Sequence, residues 1–460
     1  MLSEKRLIYF LRTKYEDLEG YEYKELVDNY FIKPKDDWYE EKDINGRKEK
    51  IWDKTKVAIF WMLIREHAMK FGIKNKKFDF SKFVFPDFEK SDFKENKDGT
   101  SRFTKNFWNR GESKEFSEDV IFLPAKFLGE ADFSGTLFKK KVGFNAVFFE
   151  KANFKEAKFS KEANFSFSKF SGKSVFSFSK FSGKSIFSYS KFLSETDICE
   201  VTFSGEAEFN KTKFLAPTNF QFTFFLENIS FISTNFLEKC SFWGINFTNK
   251  TIFRGVNLKN AIFGQSDITE VKFKNCIWNE NSSRIILNYE KGLGFEDDSN
   301  YKELEDLYRQ LKVNFDNSKN WELSGKAYVS EMEMRRKIYQ NEFLINIKSF
   351  HPIKAFIGLI NWFLFIFYKV FGGYTQNYIL PFLWLSLLFT VSLLVYSDYC
   401  FFQEYCECNF KPWKEAIDAS FPFFKSDKNS QHLKWNYFQK ISSSILLTFF
   451  ILALRKRFRQ

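Results

Sequence analysis

The chain is poor in the residues that most active-site chemistry requires. Of 460 residues only 3 are His, 6 are Cys and 5 are Met. So little histidine leaves small scope for a metal centre or a general base, and six thiols are too few to staple a chain of this length. Only 8 Pro occur, which excludes a proline-rich linker architecture. The opening stretch MLSEKRLIYFLRTKYEDLEG scatters charges where a secretory signal needs an apolar run, so no such signal is expected. The triplet Gly292-Leu293-Gly294 is no dinucleotide fingerprint, because no third glycine and no strand–helix context follow it.

What the chain has in excess is aromatic surface: 65 Phe, 19 Tyr and 11 Trp. Disordered chains are poor in aromatics because they bury too little to offset the entropy of ordering, so this much Phe argues for burial. The formal charge of +12 suits an anionic partner, either nucleic acid or the inner leaflet of a membrane.

The Phe are not scattered. From Phe116 to Trp278 an apolar station recurs at steps of five or six, and 27 of the 31 stations are Phe. The series runs through Phe122, Phe127, Phe133, Phe138, Phe144, Phe149, Phe154 and Phe159, then onward to Phe253, Leu258, Phe263, Ile268 and Phe273. Two residues before each station after the first stands a small or β-branched residue, such as Ala131, Ala152, Ser174, Thr212 or Cys276. Residues i−2 and i share a face of an extended segment. Each unit therefore reads as a three-residue inward piece followed by a polar corner, and a chain that bends alike at every corner coils into a parallel ladder. The small neighbour leaves room for rings to stack along the axis.

The units ADFSG, ANFKE, AKFSK and ANFSF resemble the pentapeptide-repeat family, whose unit is loosely Ala-(Asp/Asn)-(Leu/Phe)-x-x. That resemblance implies a right-handed quadrilateral parallel β-helix with one repeat per side and nearly eight coils. The six-residue steps depart from the family pattern and imply bulged corners on alternate sides. Phe83, Phe88 and Phe93 read as one earlier partial coil. Solenoid ends need caps. Upstream, Val57, Phe60, Trp61, Ile64 and Ala68 have helical spacing. Downstream, Tyr301, Leu304, Tyr308, Leu311 and Phe315 do too, and with WELSGKAYVSEMEMRRKIY they form an αα-hairpin, as in membrane-linked members of the family.

Past His351 the composition turns apolar. Tyr378–Tyr396 is uncharged over 19 residues, the length of a spanning helix. The last segment carries the apolar run Ile441–Leu454, extended by Trp435, Tyr437 and Phe438 and closed by Arg455, Lys456, Arg457 and Arg459. Ala355–Tyr368 is too short to span comfortably and reads as an interfacial helix, with a third spanning helix as the alternative. The domains expected are a mainly helical N-terminal cap (1–76), the solenoid (77–280, main ladder 116–280), the helical hairpin (281–345) and a membrane domain (346–460). The last comprises an interfacial helix at 354–369 and spans at 378–396 and 437–454. Two spans put solenoid and basic tail on the cytoplasmic side of a bacterial inner membrane. Loop 397–434, with Cys400, Cys406 and Cys408, then faces an oxidising compartment.

Candidate chemistry is thin. His67 follows Glu66, but REHAMKF lacks the second His of a zincin helix and reads as a solvated or cap-packing histidine. Cys240 and Cys276 fall on inward i−2 positions, where a thiol acts as a small apolar group. Cys400, Cys406 and Cys408 with His432 have metal-ligand types, though a disulfide or free thiols fit better. EMEMRRK reads as a solvated helix face with i,i+4 pairs. No catalytic residue, cofactor site or metal site is assigned, and no enzyme is expected.

Three functions compete: a membrane-tethered scaffold for a protein partner, an oligomeric pore, and DNA mimicry toward a topoisomerase. The short helix WKEAIDASFPFF between two spans has the order of a two-span channel, yet KSDKNSQ follows it where a carbonyl filter belongs, and Gly372-Gly373-Tyr374 precedes the first span. Mimicry needs an acidic surface, whereas segment 116–280 holds 21 Lys/Arg against 17 Asp/Glu. The scaffold, partnered by a lipid bilayer and a protein, with a homo-oligomer compatible and nucleic acid not expected, is the reading adopted.

Overall fold

A computed structural model describes residues 39–44, 47–53, 70–87, 109–110, 113–281, 283–292, 298–401, 411–421 and 433–457, with Val57, Phe60, Trp61 and Ile64 as single positions. The chain divides into two compact units, 1–279 with 286–292, and 280–285 with 293–460.

The first unit is a parallel β-solenoid of about seven turns. Two of its four faces are seven-stranded sheets, and the other two join through Asp119–Phe127 and Val142–Phe148 into one fourteen-stranded sheet. Residues 22 apart are in register: Ala163 pairs with Ser185, Lys169 with Lys191 and Phe159 with Phe181. The core is four columns of rings. Phe144, Phe165, Phe187 and Phe209 stack at centroid distances of 4.8, 4.9 and 4.9 Å. Phe148, Phe170 and Phe192 stack at 4.7 and 4.5 Å in the next column. Columns on opposite sides meet edge-on across the axis, as for Phe165 and Phe176 at 88°. Stacked and T-shaped contacts both suit the ring quadrupole, so each Phe is held by several neighbours at once.

The i−2 residues are buried beside the rings as their size required, Ala152, Ala163, Ser174 and Ser185 being fully inaccessible. Several of their hydroxyls bond to the main chain: Thr212 Oγ1 donates to Phe187 O at 2.7 Å and Thr223 Oγ1 to Ile198 O at 2.6 Å. The five-residue corners are tight turns. Ser168 N–H donates to Phe165 O and Ser179 N–H to Phe176 O, with Phe167 and Phe178 between them at φ 60° and 61°. The corners of special backbone geometry are thus the short steps. The six-residue steps are wider, and at Gly172 an added Cβ would lie 2.3 Å from the carbonyl carbon of Glu150 in the preceding coil.

Three details of the expected solenoid change. Phe149 is 44% exposed and Phe148 takes the inward station, because the register shifts between Phe144 and Ala146. A bulge there moves the ladder by one residue and turns the neighbouring ring outward. The early partial coil is built from Phe78, Phe80, Phe83 and Phe85, all buried under Asp119–Phe127; Phe88 and Phe93 lie outside the described residues. Finally, Tyr39–Ile44 and Arg47–Trp52 pair as an antiparallel hairpin within the segment expected to be mainly helical. Phe60 and Trp61 are buried and pack on Phe85, as a cap requires, alongside a short helix α1 (Lys70–Lys74).

The second unit is helical: α2 (Asp298–Asn317), α3 (Trp321–Lys348), α4 (Pro352–Gly372), α5 (Ile379–Phe401), α6 (Lys411–Ser420) and α7 (Leu433–Arg457). α2 and α3 form the αα-hairpin, with the Asn320 side chain accepting from Leu323 N–H at the start of α3. Tyr301, Leu304, Tyr308, Leu311 and Phe315 are buried along α2, as their spacing predicts. Three helices, Pro352–Thr375, Ile379–Ser397 and Leu433–Lys456, are long and apolar enough to cross a membrane. α4 therefore exceeds the uncharged run Ala355–Tyr368 at both ends. Its 21 residues rise roughly 31 Å, so shortness does not exclude it from spanning.

Candidate functional site

A solenoid displays its function on its faces, since its interior is filled. On one face the outward residues read, coil by coil, Lys126, Val147, Lys169, Lys191, Lys213 and Asn235. The four lysines are exposed, and none forms an ion pair with a described residue. Beside them run Phe149, Leu193 and Leu237, all exposed. Some lysines elsewhere on the solenoid are matched: Lys173 meets Glu195 at 3.0 Å, Lys184 meets Glu208 at 2.5 Å and Lys250 meets Glu227 at 2.9 Å. Glu208 and Lys184 hold one another, and that pairing keeps the Lys184 ammonium above its ordinary value. Strand spacing of 4.7–4.9 Å puts like charges side by side in the unpaired column, which opposes folding and favours an anionic occupant.

Two diagonal corners carry aromatic rings outward. Phe167 and Tyr189 stack at 5.0 Å, and the Lys211 ammonium lies 5.0 Å over Tyr189. Phe178 and Phe222 are exposed on the opposite corner. Phe167, Phe178, Tyr189 and Phe222 all have positive φ, a conformation that costs a bulky residue energy and is kept where the surroundings enforce it.

The second unit places polar groups inside. EMEMRRK is not a solvated face: Glu331 and Glu333 are 5% and 7% exposed. α3 is covered by α2 on one side and α4 on the other, so its charges pair across helices. Arg335 donates to Glu305 from Nη2 at 2.6 Å and from Nε at 2.9 Å. Glu333 lies 2.9 Å from Lys369 Nζ and accepts from Tyr374 Oη at 3.0 Å and Arg336 at 3.2 Å. Burial alone would raise the Glu333 carboxyl, but Lys369, Arg336 and Tyr374 together hold it below the ordinary value. Burial and the Tyr368 hydroxyl push the Tyr328 phenol up.

Gly372-Gly373-Tyr374 forms the turn between α4 and α5, with Gly373, Tyr374 and Thr375 all left-handed at φ 51°, 52° and 58°. That turn, the start of α3, Asn281, Ser283, Arg284 and the end of α7 surround a cavity of about 1180 Å³. Further along, α6 packs between α5 and α7: Gln439 Nε2 donates to Ala416 O and Ser420 Oγ, each at 3.0 Å. Tyr396 Oη bonds the side chains of Asn436 and Gln439.

Cys240 is fully buried and Cys276 half-buried. Burial pushes the Cys276 thiol to about 11 and Cys240 well up, so neither is a ready nucleophile. Burial, then Asp197 and Glu200, bring Cys199 to about 11. His67, Glu66, Leu293 and Gly294, Cys406, Cys408 and His432 lie outside the described residues, as does the side chain of Cys400. Among the described residues no three His, Cys, Asp or Glu side chains gather as a metal site. No protein-family model, curated protein or solved structure matches the chain.

Proposed function

We propose that the chain is a membrane-anchored scaffold of the pentapeptide-repeat type, whose solenoid docks an acidic protein partner at the bacterial inner membrane. The observation that carries this reading is the alignment of Lys126, Lys169, Lys191 and Lys213 on one face beside exposed leucines, none of the four with an ion pair among the described residues. Apolar anchors flanked by unneutralised charge are what an electrostatically complementary interface needs.

The anchoring reading is two spans, α5 and α7, with α4 in the interface. α5 and α7 run antiparallel, Trp435 meeting Ser392 at one end and Phe382 meeting Phe450 toward the other. The start of α5 and the basic end of α7 therefore share one side, the cytoplasmic one by charge. α4 lies back along α3: Trp362 stacks on Phe343, Phe365 meets Tyr339 at a tilt, and Tyr368 reaches Tyr328. A helix bearing Glu331, Arg335 and Arg336 has no place in hydrocarbon, so its long contact with α4 favours the interface. The outer face of α4, with Phe356 and Phe363, is left for lipid.

Affinity capture from gently solubilised membranes tests the scaffold. A specific protein retained by the wild type and lost when Lys169, Lys191 and Lys213 become Glu supports it; equal capture by both refutes the docking face. Reporter fusions at Gln460 and within 403–410 test the topology, and a cytoplasmic signal from the loop contradicts two spans. The seating of α6 between α5 and α7 favours a pore as second reading, which ion flux through reconstituted vesicles separates from the scaffold.

A further inference from the structure

The cavity in the helical unit has a pronounced division of character. Ile379, Leu380 and Ala453 supply an apolar wall, while Arg284, Lys326, Lys369 and Lys456 supply cations. Three acids also line it, and each is engaged. Asp316 accepts from Ser324 Oγ at 2.5 Å, Glu322 pairs with Lys326 at 2.8 Å, and Glu333 is held by Lys369, Arg336 and Tyr374. Lys456 differs. Its ammonium sits 4.0 Å over the Tyr328 ring, it is exposed, and it forms no ion pair with any described carboxylate.

A second candidate donor belongs to another residue of the lining, Gln376. Gln376 follows the left-handed turn, and its Nε2 is buried without a hydrogen-bond partner. Its amide oxygen occupies the room that Gly325 leaves on α3, where an added Cβ would lie 2.7 Å away. The glycine thus fixes the side chain in place. A buried amide donor left unmade is costly and calls for an acceptor. Two consecutive non-glycine residues in the left-handed region, one of them the β-branched Thr375, mark stored strain at the cavity edge.

We propose that this cavity binds a phosphate-bearing anion, with the Lys456 ammonium and the Gln376 amide as its direct contacts and the apolar wall seating whatever the phosphate is attached to. A cationic and an unpartnered amide donor on residues lining one cavity with apolar surface match a phosphodiester headgroup, and the volume admits the first carbons of acyl chains. The proposal rests on the membrane reading of α5 and α7 and is independent of the scaffold reading.

The test uses the full chain in a mild detergent and measures binding of fluorescent phosphatidylglycerol, with fluorescent diacylglycerol as the control that lacks phosphate. Phosphatidylglycerol binds at least about tenfold more tightly. Lys456→Gln and Gln376→Leu each weaken it by about five- to tenfold. Lys456→Arg restores binding, which separates charge from misfolding, and Lys434→Gln at the far end of α7 leaves it unchanged. Competition with glycerol 3-phosphate divides the sources: displacement assigns the site to soluble phosphate esters, and its failure assigns it to lipid. Equal binding of the two lipids, or wild-type binding by both Lys456→Gln and Gln376→Leu, overturns the proposal. A chain that purifies without detergent contradicts the membrane reading instead.

Discussion

The two units use the same residue against opposite surroundings. In the solenoid Phe187 is 1% exposed and fills the axis; in the helical unit Phe363 is 66% exposed on α4. Charges show the reverse. Lys169 and Lys191 stand on the solenoid surface, while Glu331 and Glu333 lie inside the helical unit. One unit keeps stacked rings inside and charges outside. The other turns apolar rings outward and ties its interior with hydrogen bonds and ion pairs, as a unit facing lipid does. Burial therefore has to be read against the solvent each face meets, not against residue type.

The contrast can be broken most sharply at the rings themselves. Phe187→Ala removes a side chain stacked at 4.9 Å on both Phe165 and Phe209. It should cost about 3–5 kcal/mol in chemical denaturation of the detergent-solubilised chain. Phe363→Ala should change that stability by less than about 0.5 kcal/mol. If the two variants lose equally, the contrast fails. Next comes the buried carboxylate. Glu333→Gln should cost about 2–3 kcal/mol, because Lys369 and Arg336 lose their counter-charge. Exposed Glu322→Gln should stay within about 0.5 kcal/mol. The Glu333 carboxyl is depressed, so its contribution is complete above its ordinary value of 4.5 and is lost as pH falls below that. An acid titration of wild type against Glu333→Gln should converge at low pH.

Smaller effects sharpen the solenoid side alone. Gly172→Ala sets a methyl group against the Glu150 main chain and should cost about 1–3 kcal/mol. Glu200, at φ 54° in a five-residue corner, should gain up to about 1 kcal/mol when changed to Asn, which tolerates the left-handed region. A loss of stability there would mean that the corner is not strained.

The coil was legible because its signal repeats: a Phe and a small partner at fixed spacing leave only one way to bury both. Where the repeat slips, legibility ends. Phe148 and Phe149 are identical letters, and only the register shift after Phe144 decides which turns inward. The hairpin at Tyr39–Trp52 carries its signal in the sequence as Asn45-Gly46 between the two strands. EMEMRRK misled because α3 is covered on two sides, and Glu305, the partner of Arg335, lies 30 residues away. The part that Gly372-Gly373-Tyr374 plays in a cavity depends on contacts with α3 and α7 that no local pattern encodes. The lysine column was visible as letters, since Lys169, Lys191 and Lys213 are 22 apart; only the placement of the acids shows it unpaired.

Pulsed dipolar spectroscopy between spin labels at Lys126→Cys and Asn235→Cys, in a chain whose six native cysteines are replaced by alanine, tests the coil most directly. The two positions occupy the same face five coils apart. Strand spacing then fixes their separation at about 24 Å in a narrow distribution. A broad distribution centred far from that distance would contradict the stacked solenoid.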